Sequence, residues 1–501
     1  MSAETSHLVL LPIAIPLGVA AIDLMLLRAK LRPRVRGAIA FAAMLASAGC
    51  SAALLAGAWG GTIAVFHLGG WQGPVGITLV ADLLGSVMAL MCQVVLTAGV
   101  LYAAGSRDRS ATYPSFYPLL LTLSAGLTGA MLTGDLFNFF VFAELVVISG
   151  TVLTAISDNK GGTEAAFKYF YMSTVAAVLL LIASGSLYAT YGTLNMADLS
   201  RRIAEAPDLP LATLALVLLV AALCIKSAVA PFHFWQPDFH TTAPTAVSAL
   251  LSSVVVKIGV YGFMRLTTLL YPQHAGPLGD LLVVLGCTGV VFGGLAAVGT
   301  HDLKRMLAYS TLAQIGFMLA AIGWGTPAAL AAAVVFAVNH SLVKAAMLML
   351  AGLVASYAPV KTASFEVVTG VGKAVPAAGV LFLLGGMALA GMPPMNGFVS
   401  KLGVLWSGVA VAAYGPVLVL AGGGALTLVY VARALQRVWW QPLAEGVTLK
   451  PYGDRLLAPA LLIATSLVLG LWPQPLLRVA EATGTSLTAP AAYVAAVLGG
   501  P

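Results

Sequence analysis

Residues Leu136–Thr154 read LFNFFVFAELVVISGTVLT, a run of nineteen residues that holds a single charge, Glu144. A run this long and this apolar is about the length that crosses the hydrocarbon core of a bilayer as a helix. An ionised carboxylate is costly in hydrocarbon, so such a group normally faces the protein interior or a water-filled cavity. The stretch therefore predicts a membrane helix whose acid is stabilised by a group elsewhere in the chain.

The composition of the whole chain predicts an all-α polytopic membrane protein. The chain has 501 residues, of which 60% are hydrophobic and 9% charged, whereas soluble domains carry about 25% charged residues. Its net charge of +7 lies in short loops between apolar runs, which is a topology signal and implies no nucleic-acid partner. The four cysteines stand singly in apolar runs without metal-ligand spacing, so neither a metal nor another cofactor is expected.

Apolar runs divide the chain into about fourteen predicted spans, at 8–27, 37–57, 77–104, 114–132, 135–156, 165–190, 211–240, 244–270, 278–299, 303–323, 328–356, 375–409, 412–436 and 456–472. The first run is followed by RAKLRPRVR and preceded by no lysine or arginine. A signal peptide has the reverse order, so this run is predicted to be a retained span. The tail after Pro473 is predicted to add no fifteenth span, because it is too short and too polar.

Loop charges predict the orientation of these spans. Loops after odd-numbered spans hold 17 of the 25 lysines and arginines, among them Arg28 and Lys30, whereas the opposite segments hold only Arg201, Arg202 and Arg478. Because cytoplasmic loops of membrane proteins are enriched in these residues, both termini are predicted to lie outside.

Two predicted spans are interrupted by proline. Span seven contains Pro231, which follows Lys226 by five residues. Span twelve contains Pro393 and Pro394, and Pro394 precedes Lys401 by seven residues. Broken membrane helices persist where they line a cavity or are buried in protein. A pair of such spans running in opposite directions indicates inverted repeats with the functional site at the breaks.

The inverted repeats divide the chain into four parts. Residues 1–110 hold spans one to three, 114–270 the first inverted repeat of spans four to eight, and 278–440 the second repeat of spans nine to thirteen. Residues 441–501 hold span fourteen and the tail.

Six titratable residues within the spans are predicted to form a proton-conducting row at mid-membrane depth: Glu144, Lys226, Lys257, His340, Lys344 and Lys401. At a rise of about 1.5 Å per residue, Glu144 lies roughly 14 Å from its membrane edge, Lys257 roughly 20 Å and His340 roughly 18 Å. His340 and Lys344 are four residues apart and share a helix face.

Simpler interpretations of these residues remain open. Glu144 and Lys226 could form a structural ion pair that locks two helices together. His340 could be a hydrogen-bonded core histidine. His233 and His240, which flank Asp238, could bind a metal, although no third ligand is evident and a half-helix end is preferred.

Other charges near the span ends receive structural predictions. Asp23 is expected to pair with the neighbouring positive loop, and Arg265 to extend its guanidinium to the membrane surface. Glu164 and Lys168 are spaced as a surface pair on one helix. Asp82 has no predicted partner.

Five motifs are distinctive: TGDLFNFFVFAE at 133–144, YGTLNMADLSRRIAE at 191–205, PFHFWQPDFHTTAPTAVSALL at 231–251, HDLKRMLAYSTLAQIGF at 301–317 and GMPPMNGFVSK at 391–401. With these motifs the chain resembles the antiporter-like membrane subunits shared by respiratory complex I, membrane-bound hydrogenases and Mrp cation/proton antiporters. The resemblance covers nearly the whole chain and is closest to the D-type member of the Mrp antiporter subunits.

The resemblance implies a fold and a set of functional residues. The family has fourteen helices, ten of which form two inverted five-helix repeats, and helices seven and twelve are broken. Its key acid falls on Glu144, its key bases on Lys226, Lys257 and Lys401, and a polar residue of helix eleven on His340. Some complex I relatives carry a histidine in helix eight where this chain has Ser252 and Ser253.

The implied function is proton translocation in a multisubunit Na⁺/H⁺ antiporter of a bacterial plasma membrane, with A, B, C, E, F and G type subunits as partners. The alternative is a proton-pumping subunit of a redox-driven complex of the hydrogenase or NADH dehydrogenase type. The chain has no cysteine cluster or nucleotide motif, so it is expected to be a transporter subunit and no enzyme in its own right.

Overall fold

The computed structural model describes residues 2–26, 31–157, 159–443 and 448–499. Arg28 and Lys30 of the predicted loop charges lie outside these ranges. The helices are α1 Leu11–Met25, α2 Pro33–Trp59, α3 Leu83–Gly105, α4 Phe116–Leu132, α5 Leu136–Ala155, α6 Lys160–Tyr191, α7 Met196–Glu205, α8 Pro210–Lys226, α9 Trp235–Thr242, α10 Thr245–Leu270, α11 Ala275–Gly299, α12 Leu303–Trp324, α13 Pro327–Tyr357, α14 Phe365–Val368, α15 Pro376–Ala390, α16 Asn396–Ala410, α17 Tyr414–Leu435, α18 Leu457–Leu471, α19 Gln474–Thr488 and α20 Ala491–Leu498.

Each predicted span overlaps one of these helices or a broken pair of them. Within the described ranges, nine helices are long and apolar enough to cross a membrane, namely α2, α3, α5, α6, α10, α11, α12, α13 and α17. Four shorter apolar helices, α1, α4, α8 and α15, fill further predicted spans. After α18 the chain bends by 79° into α19, which packs against α13. The number of helices that cross the membrane stays a prediction.

A small three-stranded sheet departs from the all-α prediction. It consists of β1 Ser2–Thr5, β2 Thr62–His67 and β3 Thr78–Ala81, with β1 parallel and β3 antiparallel to β2. Strand β3 lies within the range predicted for span three, because the apolar residues of the strand continue almost directly into those of α3. Asp82 is the residue that follows β3, and its carboxylate accepts a hydrogen bond from the backbone amide of Gly85. This bond caps the N-terminus of α3.

Loops after odd-numbered spans meet at one end of the molecule, here called the basic end. Asp23 lies 3.0 Å from Arg36, as predicted from the loop charges. The expected pair of Glu164 with Lys168 is also present at 2.8 Å, and the same ammonium lies 3.0 Å from Asp238, which joins spans six and seven. The opposite end, here called the sheet end, holds the three strands with α7 and α20.

A short backbone pairing marks the first predicted repeat at the sheet end. Asp135 caps α5, and the chain beside it pairs with the segment that precedes α7. The amide of Leu136 donates to the carbonyl of Leu194 at 2.9 Å, and that of Met196 donates to Gly134 at 2.8 Å. A polar cap and a short backbone bridge therefore fix the start of α5.

The second repeat has the same arrangement at the basic end. Asp302 caps α12, the amide of Leu303 donates to Ala363 at 2.9 Å, and that of Phe365 donates to His301 at 2.9 Å. The matching motifs are TGDL at 133–136 and THDL at 300–303. Because the two bridges lie at opposite ends and five spans apart, they support the inverted relation of the two repeats.

Helix α13 lies at the centre of the molecule. All of its residues from 329 to 355 are buried, and it packs against α10, α12, α15, α16, α18 and α19. A helix that is apolar on every face is one that other helices surround. Its two titratable side chains near mid-length, His340 and Lys344, are consequently held away from both lipid and bulk water.

The prediction that Arg265 reaches the membrane surface is wrong. Its guanidinium is buried and makes two hydrogen bonds to Asp82, at 2.6 and 2.8 Å. The rings of Tyr261 and Tyr493 lie 5.1 and 5.0 Å from its central carbon. Asp82 supplies a bidentate partner and the rings cover the remaining faces, so the cation is satisfied without leaving the protein.

Replacing Arg265 by methionine should destabilise the protein, because it leaves the carboxylate of Asp82 buried without a counter-ion. Breaking one partner of a buried pair costs about 3–5 kcal/mol. The unfolding temperature of the solubilised protein should fall clearly, and should recover in part when Asp82→Asn is added. Asp208→Asn is the control, since Asp208 is 83% exposed in its pair with His274. Equal unfolding temperatures for both single variants would contradict the stabilising role of the buried pair.

Candidate functional site

The structure brings the predicted acid and the first predicted base together. Glu144 lies on α5 and Lys226 is the last residue of α8, and their Oε1 and Nζ atoms are 3.6 Å apart. The lysine side chain is 6% exposed and the glutamate side chain 25%. Neither atom has a hydrogen-bond partner among the described residues. At this distance the two groups form a charge pair without a direct hydrogen bond.

The break of span seven places Lys226. Helix α8 ends at this residue, and residues 227–234 are not helical before α9 begins. The break contains Pro231, which has no backbone donor for a continuing helix. Helix α10 passes close by: a Cβ on Gly259 would lie 1.9 Å from the hydroxyl of Ser227. Glycine there lets the break lie directly against α10, which carries Lys257 two residues earlier.

Lys257 and His340 form a second close pair. The lysine Nζ lies 2.7 Å from Nδ1 of His340 and donates to the carbonyl of Ser253 at 3.1 Å. That carbonyl lies within a π-helical turn at Leu251–Val255 and also accepts from Ser341 at 3.0 Å. A π turn shifts the normal helical bonding and commonly occurs at functional sites. Here it turns a backbone oxygen toward the lysine.

Lys344 lies one turn beyond His340 on α13 and contacts a different helix. Its Nζ donates to the carbonyl of Leu307 at 3.1 Å and to the hydroxyl of Ser310 at 2.8 Å, both on α12. The hydroxyls of Ser310 and Tyr430 are 2.7 Å apart, which extends the polar contact to α17. The lysine is fully buried.

Lys401 lies beside the second break. Its Nζ donates to the carbonyl of Ala390 at 3.3 Å, the last residue of α15, and lies 4.7 Å from the centre of the Phe317 ring. Gly391 follows with a φ of +83°, and a Cβ there would lie 2.6 Å from the lysine side chain. The break therefore requires glycine at this position, both for its backbone conformation and for space.

The six predicted residues lie on five helices. Helix α5 is joined to α8 by the pair of Glu144 and Lys226, and α8, α10, α13 and α16 pack against one another in that order. Within the described ranges, the direct contacts that join two of these residues are the Glu144–Lys226 charge pair and the Lys257–His340 hydrogen bond. Lys344 and Lys401 each contact backbone or hydroxyl oxygens. The six side chains thus form no continuous hydrogen-bonded chain, and any proton transfer between neighbouring groups would require water or side-chain movement.

Sequence reasoning missed the polar side chains of α12. Besides Ser310, this helix supplies Thr311, whose hydroxyl lies 2.7 Å from that of Ser252 on α10. The stretch AYSTLAQ at 308–314 carries the signal, because a serine, a threonine and a glutamine occur close together in a predicted span.

The alternative of a metal site at His233, His240 and Asp238 gains no support. In the part of the chain that the structure describes, no three histidine, cysteine or carboxylate side chains converge as a metal site. Asp238 instead lies 3.0 Å from Lys168 and 3.3 Å from Arg305. It ties the half-helix α9 to spans six and ten at the basic end.

These features are those of a polytopic membrane protein with a buried row of titratable groups at two helix breaks. A family model described as NADH:quinone oxidoreductase/Mrp antiporter, TM matches residues 133–427. This chain belongs to that family of membrane subunits.

Known proteins of the family align with almost the entire chain. It is 31% identical to the D-type subunit of the Na(+)/H(+) antiporter of Alkalihalophilus pseudofirmus, over 98% of this chain and 99% of the relative. It is 34% identical to the N-type subunit of the NADH-quinone oxidoreductase of Desulforudis audaxviator, over 93% and 95%. A chain of the Mrp complex from Dietzia sp. has the same fold, with a TM-score of 0.89, 25% identity and coverage of 99% and 100%.

Proposed function

We propose that this chain is the proton-translocating subunit of a multisubunit Mrp-type antiporter that exchanges protons for a cation, Na⁺ in the first instance. The observation that carries the proposal is the charge pair of Glu144 and Lys226 at a helix break, continued by buried bases on packed helices. The names of the full-length relatives support it. The six residues of the row are proposed to carry the protons.

The first step of the proposed mechanism is electrostatic. A buried ammonium is stable only with a counter-ion or hydrogen-bond acceptors. Lys226 has Glu144 as its counter-ion, at a distance too long for a direct hydrogen bond. A movement at the break that lengthens this gap removes the compensation, so the lysine releases its proton toward the next base. Helix ends at a proline break are suited to such movement.

The next groups of the row accept the proton in turn. Two positive charges 2.7 Å apart in a buried site would repel strongly, so Lys257 and His340 are proposed to hold one extra proton between them. Lys344, one turn away, is the following acceptor, and Ser310 and Tyr430 provide hydroxyls that can orient its proton. Lys401 ends the row at the second break.

We further propose the setting of the chain in its complex. Residues 114–270 and 278–440 act as the two inverted repeats, between residues 1–110 and 441–501. The chain lies in a bacterial plasma membrane. Its basic end faces the cytoplasm and both termini lie outside, because positively charged loops remain on the cytoplasmic side. The partners are the A, B, C, E, F and G type subunits of the antiporter, and no cofactor is required.

A second candidate is a proton-pumping subunit of a redox-driven complex, favoured by the 34% identity to an NADH-quinone oxidoreductase subunit. The same row would then respond to electron transfer in another subunit. Copurification decides between the two, since a partner with iron–sulfur cysteine spacing would identify the redox complex.

Glu144→Gln tests the first pair. The change keeps the size of the side chain and removes the charge that holds Lys226 protonated, so sodium-driven proton movement in vesicles should fall by about a hundredfold. Glu144→Asp keeps the charge on a shorter side chain and should retain part of the activity. Unimpaired exchange in an assembled Glu144→Gln complex would exclude the proton row. If neutralising Lys226 as well restores both assembly and exchange, the pair is structural only.

Lys401→Ala tests the other end of the row. Removal of this base should abolish exchange while the complex still assembles, because a small apolar side chain is tolerated in a membrane interior. Ser400→Ala is the neighbouring control, since among the described residues the Ser400 hydroxyl donates within its own helix, to Gly397 at 3.0 Å. Exchange should be measured beside the amount of assembled complex. Normal exchange in the alanine variant removes Lys401 from the mechanism.

Cysteine labelling tests the orientation. Ala374 at the basic end and Ala204 on α7 at the sheet end are both exposed. In a protein without its native cysteines, Ala374→Cys should react with a membrane-impermeant thiol reagent only from the cytoplasm, and Ala204→Cys only from outside. Reaction of both from one side would contradict the fourteen-span arrangement.

A further inference from the structure

A polar cavity of about 410 Å³ opens at the basic end, beside the loop between α3 and α4. Four cationic side chains line it: Arg107, Arg109, Lys304 and Lys361. Asp108 is the carboxylate among its described lining residues. Asp158, which lies between two lining residues in the sequence, is outside the described ranges. Even if it is counted, positive groups outnumber negative ones by two to one.

Three helices begin at the wall of this cavity. Asn159 caps α6 by accepting from the amide of Gly162 at 2.8 Å, Thr245 is the first residue of α10, and Lys304 is the second residue of α12. All three residues line the cavity. Helix N-termini carry partial positive charge and exposed amides, so they favour anions. Asp302 already caps α12 with a carboxylate, whereas α6 has the neutral cap Asn159 and α10 has no side-chain cap. The N-termini of α6 and α10 therefore add to the positive field of the cationic side chains.

Lys304 lies in the cavity wall and is only 6% exposed. Its ammonium makes one hydrogen bond, to the hydroxyl of Thr245 at 3.2 Å. No described carboxylate lies within ion-pair distance of it. A buried ammonium with a single neutral acceptor is poorly compensated, so this position favours an anion in the cavity.

Asp108 does not supply that anion, because its oxygens are already engaged. It pairs with Lys361 and accepts from the amide and the hydroxyl of Ser110 at 3.0 and 2.9 Å. Burial acts to raise the pKa of Asp108, but the ammonium of Lys361 and the donors of Ser110 outweigh it and hold that pKa below its usual value. Arg107, Arg109 and Lys304 are left to meet another negative group.

We propose that this cavity binds a phosphate oxyanion, supplied by the headgroup of an anionic phospholipid. Arginine and lysine donors with helix N-termini are the groups that recognise phosphate. The cavity lies where the predicted spans end, which is the depth of lipid phosphates, and basic pockets between membrane helices on the cytoplasmic side bind such headgroups. The proposal depends on the membrane placement of the chain and is independent of the proton row.

The test uses the assembled antiporter in vesicles that contain a phosphatidylglycerol probe with a photoreactive headgroup. Crosslinks should map to residues 107–110 and 241–245. Arg109→Gln and Lys304→Gln should each lower this labelling by about tenfold, the loss of one hydrogen bond to a charged group. Arg34→Gln is the matched control, because Arg34 is exposed at the basic end of the molecule but does not line the cavity.

Competition identifies the source of the oxyanion. Unlabelled phosphatidylglycerol should abolish the crosslinks, while phosphatidylcholine and millimolar inorganic phosphate should leave them. Equal competition by inorganic phosphate would overturn the lipid assignment in favour of a free anion. Labelling that is the same in both cavity variants and the wild type would overturn the site, as would a crosslink from the cavity to an acidic segment of another subunit. The amount of assembled complex is measured for every variant, and a variant that fails to assemble is replaced by Arg107→Gln.

Discussion

The structure depends on the need of each buried ammonium for an oxygen atom. A charged lysine cannot remain at mid-membrane depth without a counter-ion or hydrogen-bond acceptors. The carboxylate of Glu144 provides oxygen for Lys226. A backbone carbonyl of the π turn in α10 does so for Lys257, and the last carbonyl of α15 does so for Lys401. Lys344 uses oxygens of the neighbouring helix α12. The helix irregularities in this fold are thus the features that make a row of bases possible in an apolar interior.

The two repeats share a backbone plan but differ in charge. Glu144 follows the cap Asp135 by nine residues, and the residue nine positions after the cap Asp302 is Thr311. The first repeat therefore carries an acid where the second carries a hydroxyl that bonds to α10. A row with one acid at one end and only bases beyond it is electrostatically directional, although its scaffold is nearly symmetric. In the proposed mechanism, a charge movement at the first break acts on this asymmetry.

The buried charge pair outside the row, Asp82 with Arg265, differs in geometry from the charge pair within the row, Glu144 with Lys226. The pair of Asp82 and Arg265 is bidentate, enclosed by two tyrosine rings and fully satisfied. The pair of Glu144 and Lys226 is longer and lacks a direct hydrogen bond. A tightly bonded pair fixes two helices, whereas a loose pair beside a break can separate at lower cost. The geometry of the two pairs thus separates a structural role from a proposed functional one.

Features that follow from local rules could be predicted from the residues alone. Long apolar runs predict the membrane helices, proline predicts the breaks at 231 and 393–394, and the caps Asp135 and Asp302 are visible in TGDL and THDL. The six titratable residues of the row could be found as charges within apolar runs, because each is exceptional there.

Which of these residues meet depends instead on tertiary packing. The bond between Lys257 and His340 depends on a π turn that shifts the helical register, and the burial of Arg265 depends on a carboxylate 183 residues away. Distances and hydrogen bonds of this kind arise from the packing of distant helices, which no local pattern of residues specifies.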